Sequence, residues 1–180
     1  EALLLQIRGE IIYAYATVVA GCSSFVFSRE VTKTGEVIAG QNWDYPLDLD
    51  LLHILHITPD DGPAQLMMTF AGLTSYMGMT AAGICSFANA LPWGWCQLGI
   101  PHYPFKWRVL RETSRAGIGE VVAETRTVQP GNYVLCDGTG EIADLELTPD
   151  TSVWLENTEG FFVHTNHFLG EPYASHPDLK

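Results

Sequence analysis

The chain has 180 residues, of which 47% are hydrophobic and 17% charged. This balance predicts a folded domain with a sizeable core and argues against disorder. The formal net charge is −12, and the nine Lys and Arg residues form no basic run, which argues against nucleic acid and anionic membrane surfaces as partners. We therefore expect one domain, or part of one.

The first half of the chain predicts an antiparallel sheet. After a short apolar stretch over Ala2–Gln6, the Ile-, Tyr-, Val- and Thr-rich residues 10–19 predict a strand that enters the segment around Cys22. A turn at Lys33-Thr34-Gly35 predicts a hairpin between residues 24–28 and 36–43. Further strands, separated by glycine- or proline-containing turns, are predicted at 51–58, 66–70, 75–79 and 83–88.

Two long stretches, 11–28 and 62–105, contain no Asp, Glu, Lys or Arg. A membrane-spanning helix needs about 20 consecutive apolar residues, and seven Gly or Pro residues from Gly72 to Pro101 interrupt the second stretch. We therefore expect no membrane insertion, and strands that are covered on both faces.

In the second half of the chain, the spacing of the hydrophobic residues changes from that of a strand to that of a helix at Pro104. A helix is predicted to begin there, and a second one over 118–127, after Gly117. Strands are then predicted at 133–136, 142–147, 152–155 and 161–165. Strands followed by helices and again by strands predict an α+β fold with antiparallel sheet.

The four cysteines, Cys22, Cys85, Cys96 and Cys136, form no Cys-x-x-Cys pair and no zinc-ribbon spacing. We interpret the last three as buried free thiols, which weakly favours an intracellular, reducing compartment. The two His-x-x-His pairs, at 53 and 56 and at 164 and 167, lie in predicted strands or at their ends, where a separation of three points the rings to opposite faces. No metal site is therefore predicted.

The dipeptide Gly21-Cys22 is the main candidate for chemistry. A thiol has an ordinary pKa of about 8.5 and needs a base to react at neutral pH. If the chain cleaves itself between Gly21 and Cys22, the new α-amino group, with an ordinary pKa of about 7.7–8.0, can take the thiol proton. Glycine on the acyl side leaves its carbonyl open to attack. The pair therefore predicts a cleavage site and an N-terminal nucleophile.

Three more side chains are expected near this thiol. The hairpin returns Asp44 towards Cys22, where a carboxylate can hold the amine. Asn166 follows a predicted strand, and its neutral amide suits an oxyanion hole because it does not titrate. Asn89 ends another strand and can serve the same purpose.

The order of these motifs resembles the penicillin acyltransferase family of N-terminal-nucleophile hydrolases, which is related to the choloylglycine hydrolases. The matching segments extend over nearly the whole chain: Leu-Leu-Leu-Gln-Ile-Arg-Gly-Glu-Ile at 3–11, Gly-Cys-Ser-Ser-Phe at 21–25, Gly-Gln-Asn-Trp-Asp-Tyr at 40–45, Gly-Met-Thr-Ala-Ala-Gly at 78–83, Ala-Asn-Ala-Leu at 88–91, Leu-Glu-Leu at 145–147 and Val-His-Thr-Asn-His-Phe at 163–168.

The resemblance implies an αββα sandwich of two stacked antiparallel sheets. It implies that residues 1–21 are the end of a propeptide and that 22–180 form the hydrolase domain. Cys22 would be the nucleophile, Asp44 the carboxylate that holds its amine, and Asn166 and Asn89 the oxyanion donors. The implied activity is hydrolysis or transfer of acyl groups at linear amides of small molecules through an acyl-thioester, with no cofactor or metal. A small-molecule amide or acyl-thioester is the implied substrate.

Two departures from the family pattern keep an alternative open. Gln41 stands where the choloylglycine branch carries arginine, and the chain stops at Lys180, whereas family members continue. The C-terminal portion is therefore expected to be missing, and the chain is expected to associate with that portion or with a second copy. It lacks an initiator Met, which indicates a start inside a longer precursor. The alternative is an unprocessed, non-catalytic binding or interaction protein with the same fold.

Overall fold

Ten strands and four helices make up the described part of the chain. The computed structural model describes residues 1–15, 21–44, 51–92 and 96–177. The helices are α1 (Ala2–Gln6), α2 (Arg8–Tyr15), α3 (His102–Val109) and α4 (Arg115–Ala123). The strands are β1 (Gly21–Phe27), β2 (Ile38–Asp44), β3 (Leu52–Ile57), β4 (Gln65–Phe70), β5 (Met77–Thr80), β6 (Cys85–Ala90), β7 (Gly131–Cys136), β8 (Ile142–Leu147), β9 (Ser152–Trp154) and β10 (Phe161–His164).

The smaller sheet has three strands in the order β10-β1-β2. The predicted hairpin between β1 and β2 is confirmed, with Phe27 opposite Ile38 and Gly21 opposite Asp44. Gly35, in the connection, has a φ of 71°, a conformation that favours glycine. Strand β10 pairs antiparallel with the other edge of β1, so β1 is the central strand.

The larger sheet has seven antiparallel strands in chain order, from β3 to β9. The predicted meander of β3, β4, β5 and β6 is confirmed, and so are the four strands of the second half. The two helices α3 and α4 interrupt the meander between β6 and β7, which remain neighbours.

Two hydrophobic clusters hold three layers together. The larger one joins α3 and α4 to one face of the seven-stranded sheet through residues such as Phe105, Ile118, Tyr133 and Leu145. The smaller one packs Val26 and Phe162 of the small sheet against Val134 of the large sheet. The predicted fold class is confirmed: antiparallel sheets lie face to face, and helices cover the outer face of the larger one.

The strand predicted over residues 10–19 is wrong for its described part. Residues 8–15 form α2, while residues 16–19 lie outside the described residues. In this helix Glu10 turns inward and accepts the backbone N–H of His102 at 2.6 Å, and Gly9 lies against the ring of Tyr103. These tertiary contacts outweigh the β propensity of Ile, Tyr and Val.

The second predicted helix is shifted towards the N-terminus. Ser114 is its N-cap, and the Ser114 hydroxyl accepts the backbone N–H of Gly117 at 3.1 Å, so Gly117 lies inside α4 and does not precede it. The helix ends at Ala123 because the following chain turns back, and Thr127 forms a bridge with Ile100.

The interpretation of three cysteines as buried free thiols holds only in part: all three are free, but only one is fully buried. Cys85 is buried, but Cys96 is exposed on a loop. Cys136 is half-buried and stands directly opposite Cys85 on neighbouring strands, with the two sulfur atoms 2.6 Å apart. Of the helices in the described ranges, none is long and apolar enough to cross a membrane.

Candidate active site

The β1–β2 hairpin places Cys22 between the sheets and Asp44 outside them. Cys22 lies opposite Trp43, and Gly21 lies opposite Asp44. Since side chains alternate along a strand, the thiol points inward and is 5% exposed, while Asp44 is exposed. A Cβ atom added to Gly21 would lie 2.8 Å from Asp44 Oδ2, so the carboxylate lies beside the acyl side of the predicted cleavage site.

Asn166 contacts the backbone nitrogen of Cys22. The pairing of β1 with β10 sets Ser24 opposite His164, and its continuation by two residues brings Asn166 opposite Cys22. The backbone N–H of Cys22 donates to Asn166 Oδ1 at 2.6 Å, and Asn166 Nδ2 donates to the carbonyl of Ala90 at 2.8 Å. The amide thus connects the nucleophile strand to β6.

A buried ion pair holds the loop that carries Asn166. His164 Nδ1 donates to the carbonyl of Thr165 at 2.8 Å, and His164 Nε2 donates to Glu146 Oε1 at 2.9 Å. Glu146 also accepts the backbone N–H groups of Leu169 and Gly170, at 2.6 and 2.9 Å. Burial opposes charge on His164, but Glu146, Asp144 and the Thr165 carbonyl together raise its pKa.

Asn89 and Gln41 join the small sheet to β6. Asn89 Oδ1 accepts the hydroxyl of Ser24 at 2.6 Å, and Asn89 Nδ2 donates to the carbonyl of His164 at 3.2 Å. Gln41 pairs with the backbone of Ala88 in both directions, donating at 2.6 Å and accepting at 3.2 Å. Asn89 therefore contacts β1 two residues after Cys22, and it lines the same cavity as the thiol.

Burial raises the pKa of the Cys22 thiol. Hydrogen bonds from Asn166, Gln41 and the Ala90 backbone act in the opposite direction, as does the charge of Lys106. None of these groups is an imidazole, so no Cys–His pair forms among them. A base for this thiol has to come from elsewhere.

A small cavity of about 40 Å³ adjoins Cys22, with room for only a few water molecules. One wall is aromatic: Trp43, Phe70 and Tyr76 pack with ring centroids 5.4–6.0 Å apart. Helix α2 contributes three lining residues that precede Cys22 in the chain, Arg8, Gly9 and Ile12, and the Arg8 guanidinium lies 4.5 Å from the ring centroid of Phe70. Cys22 is therefore covered in part by the segment that precedes it.

The sequence interpretation missed a buried lysine near this cavity. Lys106 in α3 is 1% exposed, and its ammonium lies 4.3 Å from the ring centroid of Tyr76. Burial lowers the pKa of Lys106 to about 7, and the charges of Cys22 and Glu10 oppose that shift. A signal existed: Lys106 stands four residues after His102 and three before Val109, which is the spacing of a buried helix face.

Among the described ranges, no three His, Cys, Asp or Glu side chains come together as a metal-ligating group. His53 and His56 lie on β3, three residues apart. The site so far consists of one buried thiol, amide side chains and a buried lysine.

In the described chain two antiparallel sheets lie face to face, and helices cover the outer face of the larger one. The structure is similar to the crystal structure of a mutant conjugated bile acid hydrolase from Clostridium perfringens, with a TM-score of 0.59 and 19% sequence identity. The similarity covers 78% of this chain and 52% of that one, so the chain spans about half the length of that structure. No family model matches the sequence, and no curated protein matches it.

Proposed function

We propose that the protein is an autoproteolytically activated cysteine amidohydrolase or acyltransferase, which cleaves itself between Gly21 and Cys22. One observation carries the proposal: Asn166 accepts the backbone N–H of Cys22 at 2.6 Å, next to the buried thiol. A catalytic cysteine that is not hydrogen-bonded to an imidazole needs another base, and cleavage would turn the nitrogen that Asn166 holds into that base.

Self-cleavage would proceed by an N-to-S acyl shift. The Cys22 sulfur attacks the Gly21 carbonyl carbon, the Cys22 nitrogen takes a proton and leaves, and a thioester links Gly21 to the sulfur. Water then hydrolyses the thioester, which yields a carboxylate on Gly21 and returns the thiol. Residues 1–21 become a separate segment, and Cys22 becomes the N-terminus of the hydrolase domain.

In turnover, the free amine takes the thiol proton and the sulfur attacks the amide carbonyl of a small molecule. The amide nitrogen of Asn166 carries two hydrogens, of which one goes to Ala90, so the second is the proposed donor to the oxyanion. Asn89 is the proposed second contributor. The leaving amine takes its proton from the Cys22 ammonium, and water or an acceptor amine then removes the acyl group from the sulfur.

The substrate class follows from the resemblance, the fold and the cavity. The similar structure is named as a conjugated bile acid hydrolase, and the sequence motifs resemble penicillin acyltransferases. The aromatic wall beside Cys22 suits an apolar acyl group. We therefore propose a linear amide or acyl-thioester of a small molecule as substrate.

Intact-mass measurement tests the cleavage. We expect purified wild type to lose the mass of residues 1–21, and Cys22→Ala to keep it, because the variant has no sulfur to attack Gly21. Cys96→Ala is the matched control, since Cys96 is exposed, and it should be cleaved like the wild type. An unchanged mass for both wild type and Cys22→Ala would favour the alternative, an unprocessed binding protein, which the small cavity also fits.

Asp44→Asn should slow self-cleavage about tenfold, equivalent to about 1.4 kcal/mol. The variant lacks the carboxylate beside Gly21, which in the wild type attracts the amine that forms. The fold should persist, since the exposed side chain contributes little core volume. The fraction of cut chain over time measures the cleavage rate, and circular dichroism measures whether the fold persists. Cleavage at the wild-type rate would remove Asp44 from the mechanism.

A further inference from the structure

Lys106 lies close to the cavity beside Cys22, on the helical layer, and is 1% exposed. It follows His102 by four residues, so the two share one face of α3. Its ammonium lies over the ring of Tyr76, and both Tyr76 and His102 line the cavity beside Cys22. A lysine is almost never fully buried unless it is paired with an anion.

A buried carboxylate close to the first turn of α3 comes from the segment ahead of Cys22. Glu10 is 5% exposed, and its Oε1 accepts the backbone N–H of His102, one helical turn before Lys106. Its other oxygen, Oε2, is buried without a hydrogen bond among the described residues. Burial raises the pKa of Glu10, and the His102 N–H and the charge of Lys106 oppose that shift.

One buried cation can balance only one buried anion. His102 stays neutral, because burial and the charge of Lys106 hold its pKa well below the ordinary value. The charges that oppose the pKa shift of Lys106 come from Cys22 and Glu10, and the half-buried cation Arg8 also lines the cavity. With Glu10 ionised, a thiolate at Cys22 would be a second buried anion beside one fully buried cation, which costs free energy.

We propose that Lys106 is a positioning residue for the nucleophile. In the uncut chain its ammonium balances the charge of the Glu10 carboxylate. Once the segment that carries Glu10 has left, it balances the charge of the Cys22 thiolate. This role rests on the proposed self-cleavage for the departure of that segment. The Cys22 thiol then gives its proton to its own α-amine, and the ammonium of Lys106 balances the thiolate. A thiolate and an ammonium form together, so the net charge of the site does not change.

The experiment titrates the Cys22 thiol by the ultraviolet absorbance of its thiolate. The background protein carries serine at the other three cysteines, and the same protein with Cys22→Ser supplies the blank. Glu10→Gln is the matched variant, because its amide oxygen still accepts the His102 N–H but carries no charge. Lys106→Met retains the length of the side chain and removes the cation.

In the uncut chain we expect Glu10→Gln to make the thiol about tenfold more acidic, and Lys106→Met to make it less acidic. The double variant should behave like Lys106→Met alone, because Glu10 acts through the lysine. The proposal would be overturned if Glu10→Gln still changed the acidity of the thiol in the absence of Lys106. It would also be overturned if neither variant shifted the midpoint of the thiol titration. Should Lys106→Met fail to fold, Lys106→Arg should hold the thiol at least as acidic as the wild type, and a less acidic thiol would overturn the proposal.

Intact mass assigns each sample as cut or uncut, which separates this proposal from the proposed function. If the chain never cleaves, the titration in the uncut protein still tests Lys106, while the enzymatic proposal fails. If cleavage removes the segment, Glu10 is absent. The test is then a single comparison, in which the Cys22 thiol of Lys106→Met should be less acidic than that of the cut wild type.

Discussion

Asn166→Ala is expected to lower amide turnover about 10²–10³-fold, which is the usual effect of removing one oxyanion donor. The variant also loses the contact with the Cys22 nitrogen, so self-cleavage should slow as well. Since the loss concerns the transition state, we expect the decrease mainly in kcat. The measurement is steady-state hydrolysis of an N-acyl amide by the cut protein.

Asn42→Ala is the control for this variant. Asn42 lies on β2 and is exposed, so the same chemical change should leave turnover close to the wild-type value. Turnover of Asn166→Ala within about threefold of the wild type would leave the amide with a structural role only. Circular dichroism of both variants verifies that the fold is retained.

Glu146→Ala is expected to lower the free energy of unfolding by about 3–5 kcal/mol, the usual cost of breaking a buried ion pair by removing one partner. The variant leaves the His164 ring and the N–H groups of Leu169 and Gly170 without their acceptor. Urea unfolding followed by tryptophan fluorescence measures the loss. Glu156→Ala, an exposed carboxylate on a loop, should change the stability by less than about 0.5 kcal/mol.

The same pair gives the stability a pH dependence. The folded protein raises the pKa of His164, so it binds this proton more tightly than the unfolded chain does. The contribution is therefore fully present below the ordinary His pKa of about 6.5 and is lost as the pH rises through the folded value. We expect Glu146→Gln to reduce this fall in stability, and an equal fall in both proteins would contradict the assignment.

Much of the fold follows from local patterns in the sequence. The β1–β2 hairpin was predictable because Gly35 supplies the turn and the flanking residues alternate, and β8 was predicted with the bounds it has. The strand predicted over 10–19 failed because α2 is fixed by contacts of Gly9 and Glu10 with α3, about 90 positions further along the chain. Such contacts leave no periodic signal in the segment itself.

The candidate site was predictable to a similar extent. The motifs indicated Cys22 and Asn166, and the structure brings these two into contact. They did not indicate that Asp44 faces Gly21, because that depends on strand alternation at the end of the hairpin. Lys106 was missed because a lysine in a helix usually faces solvent, and only the apolar neighbours at its spacing point to burial.

The position of α2 has a practical consequence for the choice of protein in ligand discovery. In the uncut polypeptide, Arg8, Gly9 and Ile12 line the cavity where we propose that the acyl group binds. Compounds screened against this form would contact these three residues. The measured affinity of such a compound would then depend on how easily it displaces α2, and not only on how well it binds the aromatic residues of the cavity. A polypeptide produced to start at Cys22 is therefore the better target for such a screen.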